Sequence, residues 1–138
     1  MYKTILVTLD TTRTDRVIID HVKELARLMS SRVVLLHVVS SATAKYHGAN
    51  AADRESAESE AYLEGVRAEF AAAGIDAQVT LAYGEPAKEI VSWVKRQGCD
   101  MVAMATHGHK FVADIILGTT AIRVQHAVSV PVLLIRAK

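Results

Sequence analysis

Short runs of consecutive aliphatic residues alternate along the chain with longer stretches in which apolar residues recur every three or four positions. Lys3 to Leu9 and Arg32 to Val39 are apolar on both faces, the pattern of strands buried inside a parallel sheet. Between them Val17, Ile18, Val22, Leu25, Ala26 and Met29 share one helical face, which predicts an amphipathic helix over Asp15 to Ser31. Ser40 to Ala52 shows no period and reads as irregular. A second helix is predicted from about Asp53 to Ala73, burying Ser59, Leu63, Val66 and Phe70, with Glu55, Glu58, Glu60, Glu64 and Glu69 on a solvated face. Gly74 stops it.

Asp76 to Ala82 reads as a third strand. Gly84-Glu85-Pro86 then sets a proline in the first turn of a helix whose buried face is Ala87, Ile90, Val91 and Val94, and Gly98 ends it. Met101 to Thr106 forms a fourth strand, Thr119 to Ala127 a fourth helix and Val130 to Arg136 a fifth strand. Strict strand-helix alternation needs right-handed crossovers, so the fold class is α/β: a doubly wound, open five-stranded parallel sheet with helices on both faces. Pro131 cannot donate to a ladder, which puts the last strand at an edge.

The chain's 138 residues fit a single domain, 1–138. Sixteen Lys+Arg against fifteen Asp+Glu leave a formal charge of +1, without the basic excess of a nucleic-acid binder. No apolar stretch approaches the roughly 20 residues that span a bilayer. One cysteine, Cys99, and an N-terminus lacking a long apolar stretch point to a reducing cytoplasm.

Ligands of such sheets sit beyond the carboxyl ends of the strands, where strand order reverses. The turn after the fourth strand, Thr106-His107-Gly108, with Gly118-Thr119 opening the next helix, is the chain's best phosphate site. Glycines let amides approach an anion, and a helix N-terminus adds free donors. The same glycines equally suit a purely turn-shaping role. The sequence has no G-x-x-x-x-G-K-[ST] and no G-x-G-x-x-G after the first strand, so P-loop and ordinary dinucleotide chemistry are unsupported. His107 and His109 alone are an incomplete metal set. A nucleotidyltransferase would need a His- or Ser/Gly-rich signature at Leu9 to Arg13, which is absent.

Asp100 to Val132 resembles the carboxyl half of the universal stress protein family. Nucleotide-binding members carry G-x-x-G, a nine-residue spacer and G-[ST]; here Gly108 is the second glycine, residues 109–117 are the spacer and Gly118-Thr119 close it. Lys3 to Asp10, Leu36-His37-Val38 and Gly84 to Ala87 extend the resemblance over essentially the whole chain. Ala105 replaces the motif's usual first glycine, Phe111 stands at a loop position that is often glycine, and His109-Lys110 follow the second glycine.

The resemblance implies a Rossmann-like fold and bound ATP, ADP or AMP. Adenine would lie near Thr8, Leu9, Asp10, Val38, Met104 and Ala105, with Asp10 close to the base or ribose. Gly108, Gly118, Thr119 and Thr120 would hold the phosphates, assisted by Mg²⁺ or Mn²⁺. It implies a nucleotide-responsive regulatory or interaction module in stress response, not an enzyme beyond slow ATP hydrolysis, since no residue set positions an attacking water. The aliphatic edge strand, Val130 to Ile135, implies a homodimer. A nucleotide-independent dimeric interaction protein of the same fold is the alternative.

Overall fold

The computed structural model describes residues 1–40, 49–106 and 118–137. Among these, five strands, β1 (Thr4–Thr8), β2 (Arg32–Ser40), β3 (Ala77–Gly84), β4 (Met101–Thr106) and β5 (Val132–Arg136), alternate with four helices: α1 (Asp15–Met29), α2 (Ala49–Ala72), α3 (Pro86–Gln97) and α4 (Gly118–Ala127). The strands pair in parallel in the order β3-β2-β1-β4-β5. The expected α/β sandwich is the observed one, with β5 at one edge.

Side-chain alternation along the strands separates two cores. Ile5, Val7, Val33, Leu35, Met101 and Ala103 face α1 and α2, where they meet Ile18, Val22, Leu63 and Phe70. Leu6, Val34, Leu36, Val102 and Met104 face the other way, against Ile90, Val94, Ala121 and Val124 of α3 and α4. Central β1 is sealed on both sides, with Ile5, Leu6 and Val7 at 0% exposure. Few aromatics are needed because small and branched residues fill a thin layer between helices and sheet.

Local chemistry sets the boundaries. Pro86 occupies the first turn of α3, and Gly98 closes that helix at φ 61, donating to the carbonyls of Val94 and Lys95. Gly74 follows α2 at φ 80. α2 begins at Ala49 rather than at Asp53, because Ala49, Ala51 and Ala52 extend the helix by intrinsic propensity without any apolar period to reveal it. β3 continues past Ala82 to Gly84, since β2 pairs with it as far as Ser40. β5 starts at Val132, one residue after Pro131, whose carbonyl accepts from the Val102 N–H at 3.0 Å.

Phe70 is fully buried between α2 and the sheet. Phe70→Ala is expected to lower unfolding free energy by about 3–5 kcal/mol in urea titrations, and a loss below about 1 kcal/mol contradicts this packing.

Candidate functional site

The chain reverses direction across the sheet between β1 and β4, and the connections leaving those two strands go to opposite faces. A cleft of about 420 Å³ opens there at the carboxyl ends of the strands. β1 and the loop after it contribute Thr8, Leu9 and Asp10, with Asp15 behind them; β2 contributes Leu36, His37 and Val38. Met104, Ala105 and Thr106 come from β4, Pro86 and Ile90 from α3, and Thr119, Thr120 and Ala121 from the first turn of α4. Its size and mixed lining suit a small polar-tipped ligand.

The loop from β1 to α1 is folded around a buried carboxylate. Asp15, 1% exposed at the start of α1, accepts the N–H of Asp10 at 2.9 Å on one oxygen and that of Thr11 at 2.8 Å on the other. The Tyr62 hydroxyl of α2 donates to it at 2.9 Å. These bonds hold Thr11 at φ 64, a left-handed conformation that a β-branched residue adopts at a cost of about 1–3 kcal/mol. Asp10 does not cap α1: the capping position is Thr14, whose side chain makes no capping bond. Burial pushes the Asp15 carboxyl above its ordinary range, against the lowering effect of its hydrogen bonds. Tyr62 is raised as well, by burial first and then by the adjacent Asp15 charge.

β2 overruns β1. Their last pair is Thr8 with Leu36, and the Leu36 carbonyl accepts from the Leu9 N–H at 2.9 Å. Backbone groups of alternate residues point to the same neighbour, so Val38 turns its N–H and C=O past the end of β1 at the cleft. His37 faces the other core, where Nδ1 lies 2.8 Å from the Leu9 carbonyl. As Leu9 O can only accept, Nδ1 carries the proton. Nε2 lies 3.4 Å from Glu55 Oε2 on α2.

α4 starts at Gly118, one residue earlier than periodicity alone indicates. Its first-turn amides lack intrahelical acceptors and carry the positive end of the helix dipole. Thr119 is exposed and Thr120 half-buried beside them. Glu85 makes a two-pronged contact with Arg123 of α4, at 2.6 and 3.1 Å, tying the start of α3 to α4.

Thr8, Leu9, Asp10, Val38, Met104, Ala105, Thr119 and Thr120 are thus neighbours around one cleft. His107, Gly108, His109, Lys110 and Phe111 lie outside the described residues. The sequence assigned no binding role to Asp15, Pro86 or Ile90, and named His37 and Thr106 only as members of the segments at the ends of the second and fourth strands. His37 carried a usable signal as the one polar residue in the run Val33–Val39. Asp15 carried none, because an acidic residue in a first helical turn is ordinary. Glu55 and Glu69 are not merely solvated: Glu69 pairs with Lys23 and Arg16 of α1, and the hydrogen bond from Lys23 holds its carboxyl below the usual range. Among the described residues no group of three or more His, Cys, Asp or Glu could hold a metal ion.

The sequence matches the universal stress protein family over residues 1–136. It is 27% identical over 157 aligned positions to universal stress protein MJ0577 of Methanocaldococcus jannaschii, covering 100% of this chain and 97% of that protein. The solved structure of MJ0577 superposes with a TM-score of 0.86, covering 100% and 98% of the two chains. The fold is also that of a universal stress protein in complex with cAMP, at TM-score 0.74 and 17% identity over 99% of this chain and 98% of the other. A universal stress protein from Archaeoglobus fulgidus in complex with dAMP superposes at 0.70 and 19% identity, covering 97% and 98%.

Asp15 generates a pH signature. Between its ordinary value of 3.8 and its higher native one, the folded chain keeps a proton that the unfolded chain has released. Its contribution to stability therefore falls as pH rises through that window. Urea titrations of wild type and Asp15→Asn between about pH 3 and pH 7 are expected to show wild type losing stability relative to the variant as pH rises. A relative gain with rising pH means that the hydrogen bonds outweigh burial and contradicts this.

Proposed function

Because the chain belongs to the universal stress protein family, we propose that the cleft binds an adenine nucleotide and that its occupancy regulates which partners the protein engages. The observation that carries this reading is the pairing, across one cleft, of a backbone donor-acceptor edge at Val38 with the amino end of α4. A peptide N–H and C=O side by side complement the N1 acceptor and N6 amino donor of adenine, whereas guanine presents the reverse order. Met104 and Ala105 would flank the base, Thr8 and Leu9 would close its inner end, and Asp10 would accept from a ribose hydroxyl. Gly118, Thr119 and Thr120 would take the phosphates on amides and hydroxyls, with Gly108 completing the cradle. Two relatives of the same fold are described with cAMP and dAMP, which agrees with an adenylate ligand.

ATP, ADP and AMP all fit this chemistry. A divalent ion, Mg²⁺ or Mn²⁺, would enter on the phosphate oxygens, supplying charge neutralisation that amides alone give only in part. Binding and release, with at most slow hydrolysis, are the proposed activity, in the cytoplasm. No described helix is long and apolar enough to cross a membrane.

β5 is the proposed dimer contact. Val132, Leu133, Leu134 and Ile135 are each only partly buried, on both faces of an edge strand. Edge strands of this kind are covered or they aggregate, and a two-fold copy of β5 supplies such cover.

Calorimetry on nucleotide-stripped protein is expected to give micromolar binding of Mg-ATP, about −8 kcal/mol, weakened by Asp10→Ala. Absence of both heat and thermal shift at millimolar Mg-ATP overturns the binding reading in favour of a nucleotide-independent interaction protein. For the dimer, Leu134→Glu is expected to yield monomer or aggregate in light scattering, and an unchanged dimer mass places the interface elsewhere.

A further inference from the structure

The loop that carries Asp10 is held from beneath, and the supports come from a helix none of whose described residues lines the cleft. Glu55, Tyr62 and Glu69 recur at seven-residue intervals on α2, two helical turns apart, so they share a face. Glu69 meets Lys23 and Arg16 of α1. Tyr62 meets Asp15, and Glu55 meets His37. The last two contacts converge on the same short backbone: Asp15 holds the amides of Asp10 and Thr11, and His37 holds the carbonyl of Leu9. Three successive residues, of which Leu9 and Asp10 line the cleft, are therefore fixed by side chains that α2 in turn braces.

That bracing has work to do at Thr11, whose left-handed backbone is unfavourable for a β-branched residue. The direction of the Asp10 side chain follows from the backbone on either side of it. A carboxylate free to rotate about that loop would meet a sugar hydroxyl only part of the time, and affinity falls by the fraction of time spent in the competent conformation. Asp15 alone offers oxygens to two amides; the Tyr62 hydroxyl fixes the rotation of its carboxylate, since it donates to the oxygen that receives Thr11.

We propose that Tyr62 is a positioning residue for the nucleotide site, acting through the Asp15 carboxylate to hold the Leu9–Thr11 backbone so that Asp10 faces the ribose. This rests on the nucleotide-binding reading above. Tyr62 touches no ligand atom in this account, and its effect on affinity passes entirely through Asp10.

The test is a double-variant cycle on Mg-ATP affinity, measured by calorimetry on the full chain with wild type, Tyr62→Phe, Asp10→Asn and the double variant. Tyr62→Phe keeps the ring and removes one hydroxyl, and thermal melts of the unliganded proteins verify that each is folded. Expected is a loss of about fivefold to tenfold in affinity for Tyr62→Phe, the scale of one ordinary hydrogen bond transmitted through the loop. The double variant is expected to bind within about twofold of Asp10→Asn alone, because a residue acting through Asp10 has nothing left to position. Losses that multiply in the double variant assign Tyr62 a general structural role and overturn the proposal. Wild-type binding with an unimpaired Tyr62→Phe overturns it alone, whereas wild type that takes up no nucleotide overturns the binding reading and this proposal together.

Discussion

A parallel strand cannot return to its neighbour by a tight turn, so every connection in this sheet crosses a face of it, and the direction of travel decides which face. The chain first moves outward from β1 through β2 to β3, laying α1 and α2 on one side. It then jumps back beside β1 and moves the other way through β4 and β5, laying α3 and α4 on the other. At the reversal α1, which follows β1, and α4, which follows β4, lie on opposite faces, and a cleft opens at the carboxyl ends of the strands. The cleft is a consequence of strand order before it is a consequence of any side chain. What the side chains add is a backbone edge at Val38, a carboxylate at Asp10 and a helix start at Gly118.

The most costly element of this arrangement is the loop from Leu9 to Thr11. A buried carboxylate and a left-handed threonine are both unfavourable in isolation. Together they are mutually consistent, because Asp15 satisfies the amides of Asp10 and Thr11 with its two oxygens, and Tyr62 adds a hydroxyl donor to the oxygen that receives Thr11. Such strain persists where surrounding structure over-determines it, and here the surroundings are α1, α2 and β2 acting on one short backbone. The loop is tied to the core through buried Leu9 and Asp15, while Asp10 itself stays exposed.

Sheet and helices were legible in the sequence because their signals are periodic: Val33 to Leu36 apolar on both faces, and Ile18, Val22 and Ala26 on one. The glycine and proline punctuation at Gly74, Pro86 and Gly98 worked for the same reason, as backbone geometry there admits few residue types. The start of α2 was missed because alanines extend a helix without showing a face. Most of the cleft lining could be placed once strand order was known, since it lies at strand ends. Asp15 and Tyr62 could not, as their roles depend on which helix packs over which strand, and of His37 only its polar character in an apolar run was legible, not its partners. Tyr62 and Asp15 are 47 residues apart in sequence and meet only in the folded chain.

The account depends on an adenine nucleotide occupying the cleft at the strand reversal. Titration of isotopically labelled protein with Mg-ATP, followed by backbone amide resonances, addresses this residue by residue. Shifts concentrated at Leu9, Asp10, Val38, Ala105, Thr119 and Thr120, with the amides around Arg27 and Gly74 at the opposite end of the sheet unmoved, are the predicted result. Saturating shifts confined to any other surface would contradict it.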